Sequence, residues 1–222
     1  MQIIKCNVLK TKASVIEKNI YKDNLKLSQE QKDIIIGNLL GDGYLEKHGT
    51  SHRFYFCQSG EKMFYVEYIY NIFEPWCSSI PSFSFSRYKE YNTYTKAAFF
   101  RTATNRSFNF FGEQFYCLDE KSNRKKRIPK KISRWLSARA LAFWFMDDGA
   151  KNENGYILNT QNFCLKEQEI LCDALGRNFK FEVNIHRDRQ NYRLYITSKS
   201  RDLFTRKIEP YILEGFRYKL HI

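Results

Sequence analysis

Apolar residues along this chain change their spacing several times, and each change marks an element. Ser28-Gln29-Glu30-Gln31 has the spacing of a capping box, in which the Ser hydroxyl accepts from the amide three residues on and Gln31 reaches back. It opens a helix through Asp33-Ile34-Ile35-Ile36-Gly37-Asn38-Leu39-Leu40 that stops at Gly41-Asp42-Gly43, with Gly43 suited to the left-handed conformation that closes a helix. Arg53 to Gln58 alternates Phe54 and Phe56 with Arg53 and Tyr55, and Ser82 to Tyr88 alternates Phe83 and Phe85 with Ser82, Ser84 and Ser86. Both stretches predict strands with one wet face. Between them Glu61 to Trp76 has helical spacing and ends by Pro75; Tyr94 to Thr102 predicts another strand and Ser107 to Leu118 a further helix.

The same grammar then returns. A helix opens near Ser137, runs through Ala138-Arg139-Ala140-Leu141-Ala142-Phe143-Trp144-Phe145-Met146 and ends at Asp147-Asp148-Gly149. Strand signals at Tyr156 to Gln161, Lys180 to His186 and Tyr192 to Thr197 alternate with helices from about Leu165 to Asn178 and through Ile208. Seven positive charges and no negative one in residues 121–131 interrupt the apolar periodicity. The division that follows is a basic arm (1–27), a first repeat (28–120), a basic linker (121–136) and a second repeat (137–222).

Composition narrows the class. With 43% hydrophobic and 17% aromatic residues the chain can fill a core, which excludes disorder for most of its length. No run of 18 apolar residues and no apolar signal core near Met1 are present, so a soluble, intracellular protein is expected, with no membrane partner. The six cysteines (Cys6, Cys57, Cys77, Cys117, Cys164, Cys172) are dispersed and lack C-x-x-C spacing, so free thiols are expected and structural zinc is not. His48 and His52, in a Gly-Thr-Ser stretch, read as loop residues. Against 24 Asp and Glu stand 37 Lys and Arg, a net charge of +13 that suits a polyanionic partner.

The repeat carries chemistry. Asp42-Gly43 and Asp148-Gly149, 106 residues apart, each close an apolar helix; Gln58 and Gln161 follow, and Lys126 and Lys219 come later. A carboxylate at a helix C-terminus is disfavoured by about 0.3–1 kcal/mol, so its appearance twice in a duplicated frame asks for a purpose beyond an ordinary Asp-Gly turn. Two such helices side by side would gather negative potential suited to a hard divalent ion with oxygen ligands, able to polarise a phosphodiester and activate water.

Ile35-Ile36-Gly37-Asn38-Leu39-Leu40-Gly41-Asp42-Gly43 and Leu141-Ala142-Phe143-Trp144-Phe145-Met146-Asp147-Asp148-Gly149 resemble the two signature helices of monomeric LAGLIDADG homing endonucleases, over about residues 28–222. Leu158-Asn159-Thr160-Gln161 and Tyr218-Lys219-Leu220 add to the resemblance. It implies an α+β fold of two pseudo-symmetric αββαββα repeats, whose two four-stranded antiparallel sheets form a saddle over the DNA major groove. It also implies a monomer that cuts both strands of a long asymmetric target in intron homing, with one Asp-centred site per strand. Asp42 and Asp148 would be Mg²⁺ ligands, aided by the peptide carbonyls of Gly41 and Asp147. Mn²⁺ should substitute, and Ca²⁺ should bind without turnover. Lys126 and Lys219 would stand near the scissile phosphates, with Lys125 and Arg127 as alternatives to Lys126, and Gln58 and Gln161 in the surrounding water network. An intron-RNA-binding maturase on the same scaffold is the alternative, and a mitochondrion or chloroplast the expected location. Gly37 against Phe143 means that the halves cannot pack as copies, which argues against strictly symmetric cleavage.

A sheet lying in a groove presents polar side chains on one face. The candidates are Arg53, Tyr55, Ser84, Ser86 and Tyr88 in the first half, and Lys180, Asn184, His186, Arg193, Tyr195 and Thr197 in the second. A one-residue slip in register would exchange the face.

Overall fold

A computed structural model describes residues 24–88 and 93–222, the side chains of Tyr88 and Thr93 excepted; most of the predicted basic arm lies outside the described residues. The first half contains α1 (Gln29–Leu40), β1 (Tyr44–His48), β2 (Ser51–Ser59), α2 (Met63–Phe73), β3 (Ser82–Tyr88), β4 (Thr93–Arg101) and α3 (Asn109–Phe115). A short hairpin of β5 (Tyr116–Leu118) and β6 (Arg124–Lys126) follows. The second half contains α4 (Ala138–Asp148), β7 (Gly149–Lys151), β8 (Tyr156–Leu158), α5 (Leu165–Phe179), β9 (Val183–Asp188), β10 (Asn191–Ile196) and α6 (Ser198–Ile208).

The two four-stranded sheets share one topology, β1-β2-β4-β3 and β7-β8-β10-β9, and all their pairings are antiparallel. Together they form the expected saddle, and the α+β class holds. Phe54, Phe56 and Phe100 line the inner face of the first sheet, and Tyr156, Leu158, Leu194 and Ile196 that of the second. Their rings and branches meet α1 and α4, which pack against each other at the centre. Ile34 to Leu40 and Ala140 to Met146 are buried on every side, as a helix must be when sheets and a second helix enclose it.

Both central helices start where the sequence signals them. Ser28 Oγ accepts from the Gln31 amide at 3.1 Å, and Gln31 Oε1 accepts from the Ser28 amide at 3.0 Å, closing the capping box. Ser137 Oγ accepts from the Ala140 amide at 3.1 Å. Both also stop where expected, at Leu40 and Asp148, but the first is closed differently. Gly43 is not left-handed; its amide donates to the Asn38 carbonyl at 2.7 Å, and a Cβ there would lie 2.6 Å from Asn38 Cβ. Close approach, not a positive φ, reserves that position for glycine.

Other departures have local causes. The predicted helix over Ser107 to Leu118 is a turn of 3₁₀ helix and the seven residues of α3, after which Tyr116 extends into β5. The buried Tyr116 ring is covered by the Arg124 guanidinium at 3.5 Å, and its hydroxyl accepts from the Leu45 amide at 2.9 Å. Residues 121–136 therefore carry β6 and the 3₁₀ turn Ile132–Arg134, with Ile128, Ile132 and Leu136 buried. His48 and His52 are strand residues flanking a two-residue hairpin loop in which Gly49 takes φ +55°. His52 is buried, with Nδ1 3.0 Å from Asn109 Oδ1. Cys57, Cys117, Cys164 and Cys172 are free thiols, and Cys6 lies outside the described residues. No helix among the described residues is long and apolar enough to cross a membrane.

The helix crossing is tightest at Gly37, where a Cβ would strike the Ala140 carbonyl oxygen and lie 2.7 Å from Phe143 Cβ. Gly37→Ala should therefore destabilise the fold by about 1–3 kcal/mol despite alanine's better helix propensity. Urea unfolding checks this: a lower midpoint is expected, and an unchanged or raised one contradicts the packing.

Candidate active site

The same crossing that excludes a side chain at Gly37 excludes one at Gly41, where a Cβ would lie 2.5 Å from Asp147 Cβ and 2.6 Å from Asp147 Oδ2. Asp147 fills the space Gly41 leaves. Its Oδ2 accepts from Asn38 Nδ2 at 2.8 Å and from the Asp42 backbone amide at 3.1 Å, and its Oδ1 accepts from the Tyr65 hydroxyl at 3.0 Å. Tyr65 in turn accepts from Asn38 Nδ2 at 3.2 Å. Burial, with the Asp42 charge adding to it, pushes the Asp147 carboxyl up to about 8. A side chain of the second helix thus holds the backbone that carries Asp42.

Asp42 and Asp148 lie at the ends of α1 and α4, in each other's field. Asp148 is the last residue of its helix, whereas Asp42 follows the Gly41 cap. Burial first, then the Asp42 charge, pushes Asp148 up to about 7; Lys126, Lys219 and Lys62 pull it back. Lys126 Nζ donates to the Gly41 carbonyl at 2.6 Å, and Lys219 Nζ to the Met146 carbonyl at 2.7 Å. Burial lowers both ammonium groups to about 8. Each thus reaches the end of one signature helix. Lys219 comes to Met146, one residue before the carbonyl that the sequence pairs with Gly41.

The two glutamines diverge. Gln58 Nε2 donates to Asp42 Oδ2 at 2.7 Å, but Gln161 Nε2 donates to Asp188 Oδ2 at 2.9 Å and makes no hydrogen bond to Asp148. Gln58 sits at the end of β2, its position fixed by the ladder; Gln161 lies in a turn beyond β8. An open groove of about 860 Å³ beside Asp42 includes Gln58, Thr95 and Lys96 in its walls.

The register groups most of the predicted groove residues. Arg53, Tyr55, Ser84 and Ser86 share the face of the first sheet opposite Phe54, Phe56 and Phe100, joined by Tyr44, Thr95 and Arg101. Arg53 pairs with Glu46, and Arg101 lies 3.6 Å from the same carboxylate. Tyr88 falls in β3, but its side chain lies outside those described. In the second sheet Asn184, His186, Arg193 and Tyr195 share the outer face, with the His186 and Tyr195 rings stacked 4.8 Å apart. Lys180 and Thr197 do not belong to it. Lys180 is the left-handed cap of α5 (φ 62°), needed to turn the chain before β9, and Thr197 is the buried residue before α6. Residues that the sequence reading passed over are Asn38, Tyr65 and Lys62: the first two look like core, and Lys62 like a surface charge.

The family model described as the LAGLIDADG DNA endonuclease family matches residues 32–204. The chain belongs to this family. DNA endonuclease I-ChuI of Chlamydomonas applanata is 30% identical over 88% of this chain and 96% of its own length. Cytochrome b mRNA maturase bI2 of Debaryomyces hansenii is 32% identical over 94% of this chain and 80% of its own. Among solved structures, the homing endonuclease I-WcaI bound to its DNA recognition sequence superposes with a TM-score of 0.82, at 28% identity, covering 91% of each chain. The crossed helices and twin sheets described above are therefore the LAGLIDADG scaffold.

The donor set at the LAGLIDADG helix ends fits a hard divalent cation. Among the described residues no three His, Cys, Asp or Glu side chains form a ready metal cage. Two carboxylates and nearby peptide oxygens remain, the sparse set that Mg²⁺-type sites complete with water and phosphate. Burial raises Asp148 most, and the Asp42 charge adds a repulsion that such an ion would relieve.

Tyr65→Phe removes the hydroxyl that links Asn38 to Asp147 and leaves a buried carboxyl oxygen short of its donor. The expected loss is about 1–3 kcal/mol, read as a lower denaturation midpoint at unchanged slope. An unaltered midpoint would deny the network its structural role.

Proposed function

We propose that this DNA endonuclease is of the homing type: a monomer that requires a divalent cation, Mg²⁺ or Mn²⁺, and cuts both strands of one long asymmetric site. The observation that carries the reading is the meeting of Asp42 and Asp148 at adjoining helix ends, each end with a lysine on its carbonyls, between two sheets with polar outer faces. In this reading Asp42 and Asp148, with the carbonyls of Gly41 and Asp147, would hold the cation, which supplies charge stabilisation at the phosphate and acidifies attached water. The Asp147 carboxyl takes no part, being engaged by Asn38, Tyr65 and the Asp42 amide. Lys126 and Lys219 offer their ammonium groups to the charge that develops on the phosphate as a strand breaks. Gln58 donates to Asp42 and orients that carboxylate. Arg53, Tyr55, Ser84, Ser86, Asn184, His186, Arg193 and Tyr195 are assigned to base and backbone contacts in the major groove.

A second reading, binding and folding of intron RNA, draws support from the likeness to a cytochrome b mRNA maturase. That likeness, and a composition rich in Lys, Ile, Phe, Tyr and Asn, support an organellar location.

Selection from a randomised DNA library with Mg²⁺, and in parallel with Ca²⁺, tests the proposal by scoring binding and breakage separately. One long sequence broken on both strands with Mg²⁺ and bound uncut with Ca²⁺ is expected; selection of no DNA sequence would move the function to RNA. On the selected site Asp42→Asn and Asp148→Asn should each lower double-strand breakage by at least about 100-fold with affinity in Ca²⁺ retained. Activity equal to the parent would sink the assignment.

A further inference from the structure

Lys62 is a third lysine at the site, and the repeated signature does not supply it. Half-buried just before α2, its Nζ donates to Gln58 Oε1 at 3.2 Å, while Gln58 Nε2 donates to Asp42 Oδ2 at 2.7 Å. A carboxamide accepts at one end and donates at the other. An ammonium group at the oxygen therefore fixes the nitrogen toward the carboxylate, and a flipped amide would set its NH₂ against Lys62 and its oxygen against Asp42. Lys62 Nζ also lies 5.6 Å from the centre of the Phe216 ring, and Lys219 Nζ 5.4 Å from the same ring, so the two lysines approach one aromatic ring beside the site.

The second half lacks this arrangement. The residue before α5 is Cys164, the residue four beyond Gln161 is Leu165, and the adjacent Lys166 is exposed. Gln161 gives its amide hydrogen to Asp188. One half-site therefore has a lysine, amide and carboxylate in series, and the other does not.

We propose that Lys62 is a positioning residue for the Asp42 half-site, holding the Gln58 amide against the Asp42 carboxylate, so that cleavage of one DNA strand depends on Lys62 and cleavage of the other does not. This rests on the assignment of one acid-centred site to each strand. Loss of the lysine leaves Gln58 free to rotate, which slows one cut and leaves a nicked duplex as a lasting intermediate.

The test uses the full chain and a supercoiled plasmid carrying the site selected with the parent protein. The parent must linearise that plasmid; if it does not, the endonuclease reading fails and this proposal falls with it, a failure distinct from those below. Lys62→Met keeps the aliphatic stem and removes the donor. Nicked circles should accumulate, with the second cut slowed roughly tenfold, the usual scale for a lost hydrogen bond beside a charged group. On end-labelled duplex the slow strand should be the one that Asp42→Asn leaves intact. Gln58→Ala should slow the same strand, and the double variant should be no slower than Gln58→Ala alone, because the lysine acts through the amide. Lys62→Arg should restore the second cut. Equal slowing of both strands, slowing of the other strand, or full additivity in the double variant would overturn the proposal. Unfolding midpoints and affinity in Ca²⁺ are measured for each variant, with Lys62→Ala, which also removes the donor, replacing Lys62→Met if the latter does not fold.

Discussion

The close crossing of α1 and α4 is the constraint on which the rest of the molecule depends. It requires backbone against backbone, which is why Gly37 and Gly41 occupy the positions that face Ala140, Phe143 and Asp147. Without a Cβ at those points the helices approach closely enough for Asp147 to reach across and take the Asp42 amide. The consequence is electrostatic. Asp42, Asp147 and Asp148 gather at one place, two of them largely removed from water, and burial there favours the neutral acid. The arrangement stands because Asp147 is satisfied by three donors and because lysines approach the other two.

Those lysines have two uses at once. The last carbonyls of a helix lack intrahelical partners and carry its negative pole, so a cation there is welcome whatever the chemistry. Lys126 on the Gly41 carbonyl and Lys219 on the Met146 carbonyl answer that structural need, and in doing so stand beside the acids. Their desolvation is offset by bonds the helices would otherwise leave to water. Cations held this way are already fixed by the backbone, so they need little reorganisation to meet an anion.

The sequence announced what repeats and what alternates. Capping signals at Ser28 and Ser137, the all-apolar central helices, and the phase of Arg53 and Tyr55 against Phe54 and Phe56 were legible because each rests on local periodicity. Boundaries set by distant partners were not. Tyr116 leaves its helix because Arg124 and the Leu45 amide hold it, and β7 is three residues whose strand character comes from β8. Lys180 and Thr197 fell outside the sheet because helix caps, not alternation, set their conformations. Asn38 and Tyr65 gave no signal, since a polar atom inside an apolar helix face acquires meaning only from the Asp147 carboxyl that it meets. The paired acids were legible by repetition; the different fates of Gln58 and Gln161 were not.

Duplication fixed the topology of the two halves but not their filling. Phe143 occupies the position matching Gly37, and its ring stacks on Tyr65 and Tyr68 of the first half, so volume missing from one helix is supplied by the other. A tight interface constrains the sum of two side chains, not each alone. The same holds for charge. Asp147 stands where Gly41 has no side chain, and the first half answers with Asn38 and Tyr65. Once one half supplies a carboxyl that the other must satisfy, the two sites no longer share an environment, and residues around each are free to diverge. The series from Lys62 through Gln58 to Asp42, without a counterpart at Asp148, is the form that divergence takes where it bears on chemistry.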